Sequence, residues 1–254
     1  MRWRAWLSAP LAFLAALSFL TVWRVTLPGT FQPRDRGRAV FFFAPVGLLV
    51  GGLAAAVNAL AALWWPSAVG TVLVVVALLL STGGLHFDGL LDTCDGALNG
   101  QPPRRRLEIM RDSRSGAFAV AGGVVDLLLL WACIVDLTGP HQEVALLVMA
   151  TTSRAAMALA VCLFPYARPS GLGRDFKDHA SMLAAPVNAA LAVGLGWGLL
   201  GWQGACGALG GLVVGLLASL YLLTRLPGLT GDSYGAINEL AQIGTLLVLV
   251  PLLS

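Results

Sequence analysis

Three aspartates in the segment Gly83-Gly84-Leu85-His86-Phe87-Asp88-Gly89-Leu90-Leu91-Asp92-Thr93-Cys94-Asp95-Gly96 stand at i, i+4 and i+7. On an α-helix that spacing stacks Asp88, Asp92 and Asp95 on one face over two turns. Like charges so placed repel one another unless a cation sits among them. Oxygen-only ligands point to Mg²⁺, with Mn²⁺ as the alternative, rather than to zinc. A carboxylate-held metal directly after an apolar run suits chemistry on a phosphate-bearing substrate at a membrane surface. His86, two residues before Asp88, is a candidate general base, although a lone histidine at a helix entry more often has a structural role.

Three further segments carry matching chemistry. In Arg104-Arg105-Arg106-Leu107-Glu108-Ile109-Met110-Arg111-Asp112-Ser113-Arg114-Ser115-Gly116 acidic and basic residues interleave. Asp112 is a candidate fourth carboxylate for the metal, Arg111 and Arg114 offer forked donors to phosphate oxygens, and Ser113 lies between them. Arg104–Arg106 read equally well as topology determinants at a headgroup surface. Tyr166-Ala167-Arg168-Pro169-Ser170-Gly171-Leu172-Gly173 couples a cation to a flexible glycine turn suited to a phosphate or nucleotide, with Arg168 and Gly171 as the candidates. In Thr230-Gly231-Asp232-Ser233-Tyr234-Gly235-Ala236-Ile237-Asn238-Glu239 a helix would put Asp232 and Glu239, seven apart, on one face. A plain N-cap is the competing reading for Asp232, but a cap leaves Asn238 and Glu239 unexplained in an apolar helix.

The elements that position these residues are membrane helices. The chain is 57% hydrophobic and only 11% charged, far from the roughly 25% charged residues of a soluble domain. Apolar runs reach the ~20 residues that span a bilayer. Hydropathy predicts helices over about 40–64, 68–83, 117–137, 143–164, 183–201, 204–224 and 236–253, with an N-terminal segment at 6–23. The connections 24–38, 101–116, 165–182 and 225–235 hold arginine or lysine, whereas 64–67, 138–142 and 201–203 hold none. By the positive-inside rule the basic connections, and the acidic motif with them, are cytoplasmic. The expected fold is all-α: a polytopic integral membrane bundle of about seven transmembrane helices, forming one domain over 1–254. Basic residues flank 6–23 on both sides, which predicts an interfacial or re-entrant helix; no small-residue cleavage site argues for its removal. The four cysteines lack zinc or redox spacing and read as packing residues, Cys94 included. Gly51-Gly52, Gly122-Gly123 and Gly210-Gly211 read as helix-packing devices. Asp126 and Arg154, each about 14 Å deep at ~1.5 Å per residue, are expected to pair, since a lone charge at that depth is costly.

Taken together, GGLHFDGLLDTCDG followed by LEIMRDSRSG closely resembles the cobalamin-5′-phosphate synthase (adenosylcobinamide-GDP ribazoletransferase) family, and YARPSGLG and TGDSYGAINEL follow in the family's order. The resemblance covers about residue 40 to the C-terminus. It implies a Mg²⁺-dependent enzyme of the bacterial inner membrane that joins adenosylcobinamide-GDP to α-ribazole or its 5′-phosphate and releases GMP. A ribose hydroxyl would attack the phosphate next to the cobinamide aminopropanol and break the pyrophosphate bond. Asp88, Asp92, Asp95 and Asp112 would hold metal. Arg111, Arg114 and Arg168 would clamp phosphate oxygens, with Ser113, Gly171 and Asn238 nearby in the substrate site. A carboxylate of the cluster, or His86, would take the hydroxyl proton. Asp232 and Glu239 match family positions and are assigned to a second metal or to the ribazole. Besides these substrates the expected partners are membrane lipid and, with the oligomeric state open, a second copy of the chain; no nucleic acid is expected. One departure is the stretch Thr21-Val22-Trp23-Arg24-Val25-Thr26-Leu27-Pro28, longer than the family's Thr-Arg-Leu-Pro, which leaves Arg24 without a role.

Two other classes fit less well. CDP-alcohol phosphotransferases also hold metal with spaced aspartates, but they want an arginine soon after Asp95-Gly96, where Ala97-Leu98-Asn99-Gly100 stands. A transporter would gather its polar residues near the midplane with internal repeats; only Asp126 and Arg154 meet that description.

Overall fold

The sequence pattern of apolar runs and basic connections becomes a helical bundle in the computed structural model, which describes residues 3–25 and 33–253. Arg2 and residues 26–32, with the end of the altered stretch after Val25, lie outside the described residues. The helices are α1 (Trp3–Leu20), α2 (Pro33–Ala39), α3 (Phe43–Ala61), α4 (Ser67–Thr82), α5 (Leu85–Ala97), α6 (Pro103–Ile109), α7 (Ala117–Asp136), α8 (Pro140–Leu163), α9 (Leu172–His179), α10 (Ala184–Arg225) and α11 (Gly231–Leu253). Among the described residues there is no strand, only one isolated bridge between Tyr166 and Leu229.

Five of these segments are long and apolar enough to cross a membrane: Asp35–Ala61, α7, α8, α10 and α11. A sixth arises if α4 and α5, bent 90° from each other, are counted as one broken span. The bend is built by Gly83 and Gly84, both left-handed (φ 62° and 70°). Their amides turn back to Leu80 O and Leu79 O, closing a Schellman turn that ends α4. Glycine takes this conformation without a Cβ clash. Helix α5 therefore leaves the direction of α4 and runs across the end of the bundle.

The 42 residues of α10 would measure about 63 Å as a straight helix, twice the ~30 Å hydrocarbon core. It does not run straight. Gly201 is non-helical (φ 59°, ψ −142°), and a Cβ on Gly196 would collide with the Gly204 carbonyl, and one on Gly204 with that of Gly196. Residues eight apart touch in this way only if the helix doubles back. The arms 184–200 and 202–225 thus correspond to the two spans predicted at 183–201 and 204–224. The expected count of about seven compares with the five spans, or six with α4 and α5 taken as one, that length and apolar composition give among the described residues.

Hydrogen bonds sort the helix ends onto two faces. On the basic face Asn188, at the start of α10, receives the Ala44 amide (2.8 Å) and donates to Val40 O (2.9 Å) at the start of α3. Arg225, at the other end of α10, donates to Ala97 O (3.0 Å) at the end of α5. On the opposite face Asn58 Nδ2 donates to Gln142 and Glu143 (3.0 and 2.8 Å), and Trp131 Nε1 to Ala68 O (3.1 Å). The loops rich in arginine share one face, as their alternation along the chain requires. Helix α1 belongs to that face: Phe13 meets Phe42 and Phe19 meets Phe43 at ring distances of 5.8 and 6.2 Å, and the Val22 amide donates to Ser81 O. Its apolar part, Ala9–Leu20, covers about 18 Å at ~1.5 Å per residue, short of a span.

Helix α8 is the axis of the bundle, 83% of its apolar window being buried against 33% for α7. Small residues let neighbours close on it; Gly51 of α3 would bring a Cβ within 2.8 Å of Leu146 O. Gly122 accommodates Cys94 Sγ and Gly211 faces Ala241 O and Thr245, so the paired glycines and Cys94 act in packing.

Candidate active site

The site grows from the crossing of α5 and α11 on the basic face. A Cβ on Gly89 would lie 2.7 Å from Asp232 O, and one on Gly235 would lie 2.8 Å from His86 O. Two glycines, one in each motif, let these backbones touch. That contact sets the first turn of α11 beside Asp88 and Asp92. Thr230 caps α11, its Oγ1 accepting the Ser233 amide (3.1 Å). The cap reading therefore belongs to Thr230. The Asp232 carboxylate, released from capping, turns outward, and its Oδ2 accepts from Arg168 Nη2 at 2.7 Å. Arg168 is brought there by the bridge between the 165–168 strand-like turn and Leu229, with Ala167 N to Leu229 O and Leu229 N to Pro165 O both 2.8 Å.

A cavity of about 280 Å³ opens at this crossing. Asp88, Arg111, Arg168, Gly171 and Asp232 line it, so all four sequence motifs meet on one space. His86 also borders it, almost wholly buried, with neither ring nitrogen hydrogen-bonded. Burial, followed by the charge of Arg154, holds His86 well below the ordinary histidine range and leaves its ring neutral. Asp92 lies just behind Asp88. Its carboxyl is pushed up to about 7, first by burial and then by the charges of Asp232 and Asp88. Three carboxylates thus crowd one neighbourhood with Arg168 as the one paired cation, a donor set whose chemistry fits a hard divalent cation. Among the described residues no three acidic, histidine or cysteine groups stand at ready-made ligand distances, so a metal would draw the carboxylates inward.

Other candidates lie elsewhere. Asp95 turns to the start of α7, accepting the Ala119 amide (2.9 Å) and that of Gly116. Asp112 is on the surface and forks with Arg114 (3.0 and 2.7 Å), a hydrogen bond that pulls its carboxyl down to about 2. Neither these two nor Ser113 lines the cavity. Arg106 is buried and staples α6 to the end of α10, donating to Gln101 O (2.6 Å) and Arg225 O (3.2 Å), while Arg105 pairs with Glu108 on the surface.

Asn238 and Glu239 occupy a deeper layer. Glu239 accepts from Asn238 (3.1 Å) and Gln242 (2.7 Å) and borders a second cavity of about 10 Å³, room for about one water. Asp126 and Arg154 border it too. No ion pair or hydrogen bond joins Asp126 to Arg154 directly; the two charges expected to pair share this one-water space with Glu239, from a third helix, which interacts electrostatically with both.

Sequence reasoning missed Tyr166, Tyr234, Phe19 and Met157, which also line the larger cavity. The tyrosines are written inside two of the motifs and were available as a signal. Phe19 and Met157 sit in plain apolar helices, where nothing in the local pattern marks them.

The cobalamin-5-phosphate synthase profile matches residues 12–250. The chain belongs to the cobalamin-5-phosphate synthase family. Curated relatives agree over nearly full length. The adenosylcobinamide-GDP ribazoletransferase of Pseudomonas savastanoi pv. phaseolicola is 37% identical over 246 residues, 94% of this chain and 98% of the relative. The proteins of the same name from Klebsiella pneumoniae and Geotalea daltonii are each 37% identical over 94% of this chain, covering 99% and 96% of their own lengths. No solved structure matches. Membership of the cobalamin-5-phosphate synthase family sets aside the CDP-alcohol phosphotransferase and transporter readings.

Proposed function

We propose that this chain is an adenosylcobinamide-GDP ribazoletransferase, joining adenosylcobinamide-GDP to α-ribazole or its 5′-phosphate with release of GMP, in the last stage of cobalamin synthesis. The relatives that carry this name cover almost the whole chain. The observation that carries the chemistry is the meeting of Asp88, Arg111, Arg168 and Asp232 on one cavity at the basic face. The positive-inside rule puts that face in the cytoplasm, where nucleotide substrates are available.

The ribose hydroxyl of the acceptor attacks the phosphorus attached to the cobinamide aminopropanol, and the bond from that phosphorus to the oxygen of GMP breaks. Asp88, Asp92 and Asp232 would hold Mg²⁺, with Mn²⁺ as a substitute. Bound there, the ion would neutralise charge on the pyrophosphate and on the departing GMP. Arg168, fixed by its ion pair to Asp232, presents its remaining donors to phosphate oxygens. A carboxylate of the cluster would accept the hydroxyl proton; neutral His86 is the second candidate. Asp95 supports the group from behind by anchoring α5 to the start of α7.

The test is GMP release in nanodiscs from adenosylcobinamide-GDP, α-ribazole 5′-phosphate and Mg²⁺, with a metal-chelated sample alongside. Release that requires both the acceptor and the metal upholds the reading. Folded protein that releases no GMP under these conditions sinks it.

A further inference from the structure

The larger cavity is lined by two chemically distinct sets of side chains. One is charged: Asp88, Arg111, Arg168 and Asp232. The other is apolar and aromatic: Phe19, Leu85, Met157, Tyr166 and Tyr234. The rings of Tyr166 and Tyr234 are 6.0 Å apart at 34°. The charged set suits phosphate chemistry, but that chemistry does not need the aromatic wall. At about 280 Å³ the cavity lies just below the ~300–1,000 Å³ usual for ligand sites. A single riboside fits such a space and a corrinoid does not.

Two further features narrow the occupant. The Tyr234 hydroxyl and both His86 nitrogens are buried without a hydrogen-bond partner among the described residues, and buried polar atoms rarely stay unpaired. A flat base with one ring nitrogen as acceptor would answer such a donor. Guanine, by contrast, presents several donors along one edge and calls for a free carboxylate beside the aromatic wall, whereas the two carboxylates that line the cavity, Asp88 and Asp232, are those assigned to the metal above. Arg111 has no ion pair among the described residues, unlike Arg168. It is a cation at the cavity wall available for a phosphate.

We propose that this cavity seats the acceptor riboside rather than the donor. The heteroaromatic base lies against Phe19, Tyr166 and Tyr234, the ribose lies beside Asp88 and Asp232, and Arg111 receives the 5′-phosphate. The corrinoid half of the donor remains outside. The assignment rests on the transferase reading above and adds which substrate enters the cavity.

The experiment measures KM for each substrate separately in nanodiscs, for wild type, Phe19→Ala, Tyr234→Phe and Arg111→Gln. Tyr234→Phe removes one hydroxyl and keeps the ring, so it guards against a folding defect in Phe19→Ala, whose ring also packs on Phe176 at 4.3 Å. Phe19→Ala is expected to raise the acceptor KM about tenfold, the weight of one base–aromatic contact. Tyr234→Phe is expected to raise it about fivefold, the weight of one neutral hydrogen bond. Both leave the donor KM within about twofold. Arg111→Gln is expected to erase most of any preference for the phosphorylated acceptor over the free riboside. If the donor KM rises instead, the cavity belongs to the donor's guanine and the proposal is wrong. Equal effects on both substrates, or none, overturn it as well. Should wild type release no GMP at all, the transferase reading fails. Equilibrium binding of the riboside phosphate then decides the seat separately: binding weakened by Phe19→Ala upholds it, and no binding overturns it.

Discussion

Helix α11 carries two carboxylates on one face, and they live in different worlds. Asp232, in the first turn, reaches an open cavity and an arginine from another loop. Glu239, two turns deeper, is closed in by Asn238, Gln242, Arg154 and Asp126 around space for about one water. The outer layer has room for a substrate; the inner layer has room for none. Identical side-chain chemistry therefore serves reaction at one level and cohesion of three membrane helices at the other. Depth along the helix, rather than residue type, separates the two.

The comparison can be broken most forcefully at Arg154. Arg154→Met leaves Glu239 buried without the cation that faces it, and loss of one member of such a group costs about 3–5 kcal/mol. Thermal unfolding in detergent should show a large drop in Tm; an unchanged Tm would mean the inner layer is not cohesive. Next come Asp92→Asn and Asp232→Asn in the outer layer. Each should cut GMP release about a hundredfold or more, since even residues behind metal ligands are commonly worth 10–100-fold, while Tm stays close to wild type. Full activity in either variant would remove that residue from the site.

A smaller effect follows from pH. In metal-free protein the Asp92 carboxyl is raised to about 7 from roughly 3.9 in the unfolded chain. Between these values the folded form holds a proton that the unfolded form has lost, so stability falls as pH climbs through that window and levels off above it. Asp92→Asn should flatten the fall. Added Mg²⁺, which needs the ionised carboxyl, should raise Tm more at pH 7.5 than at pH 5.5; an equal rise at both would argue against carboxylate ligation. The smallest change is expected at Asp112, whose fork with Arg114 is on the surface. Asp112→Asn should leave Tm unmoved and activity within about twofold, as exposed ion pairs usually do. A large loss of activity would return Asp112 to the metal.

Much of this architecture is written in local patterns. The helical spacing of Asp88 and Asp92, the basic side of every second loop, and the four motifs that converge are all legible because each depends on neighbours within about ten residues. What stays hidden depends on docking. Asp95 shares the spacing of its partners, yet the start of α7 arrives where its carboxylate can cap two amides, and only tertiary packing decides that. The i, i+7 spacing correctly sets Asp232 and Glu239 on one face, but it says nothing of how deep the cavity reaches. Asp126 and Arg154 match as the two charges of adjacent spans. The third helix that brings Glu239 to them lies more than eighty residues further along the chain. Phe19 comes from a helix whose composition announces only membrane contact.

The backbone contact at Gly89 and Gly235 also makes the spacing of the site a property of two missing side chains. With nothing between them, α5 and α11 meet main chain to main chain, and a methyl group at either position would act as a wedge that drives Asp88 away from Asp232. The two glycines are in this sense the gauge of the cavity: they set how far apart its carboxylates stand without touching anything bound there.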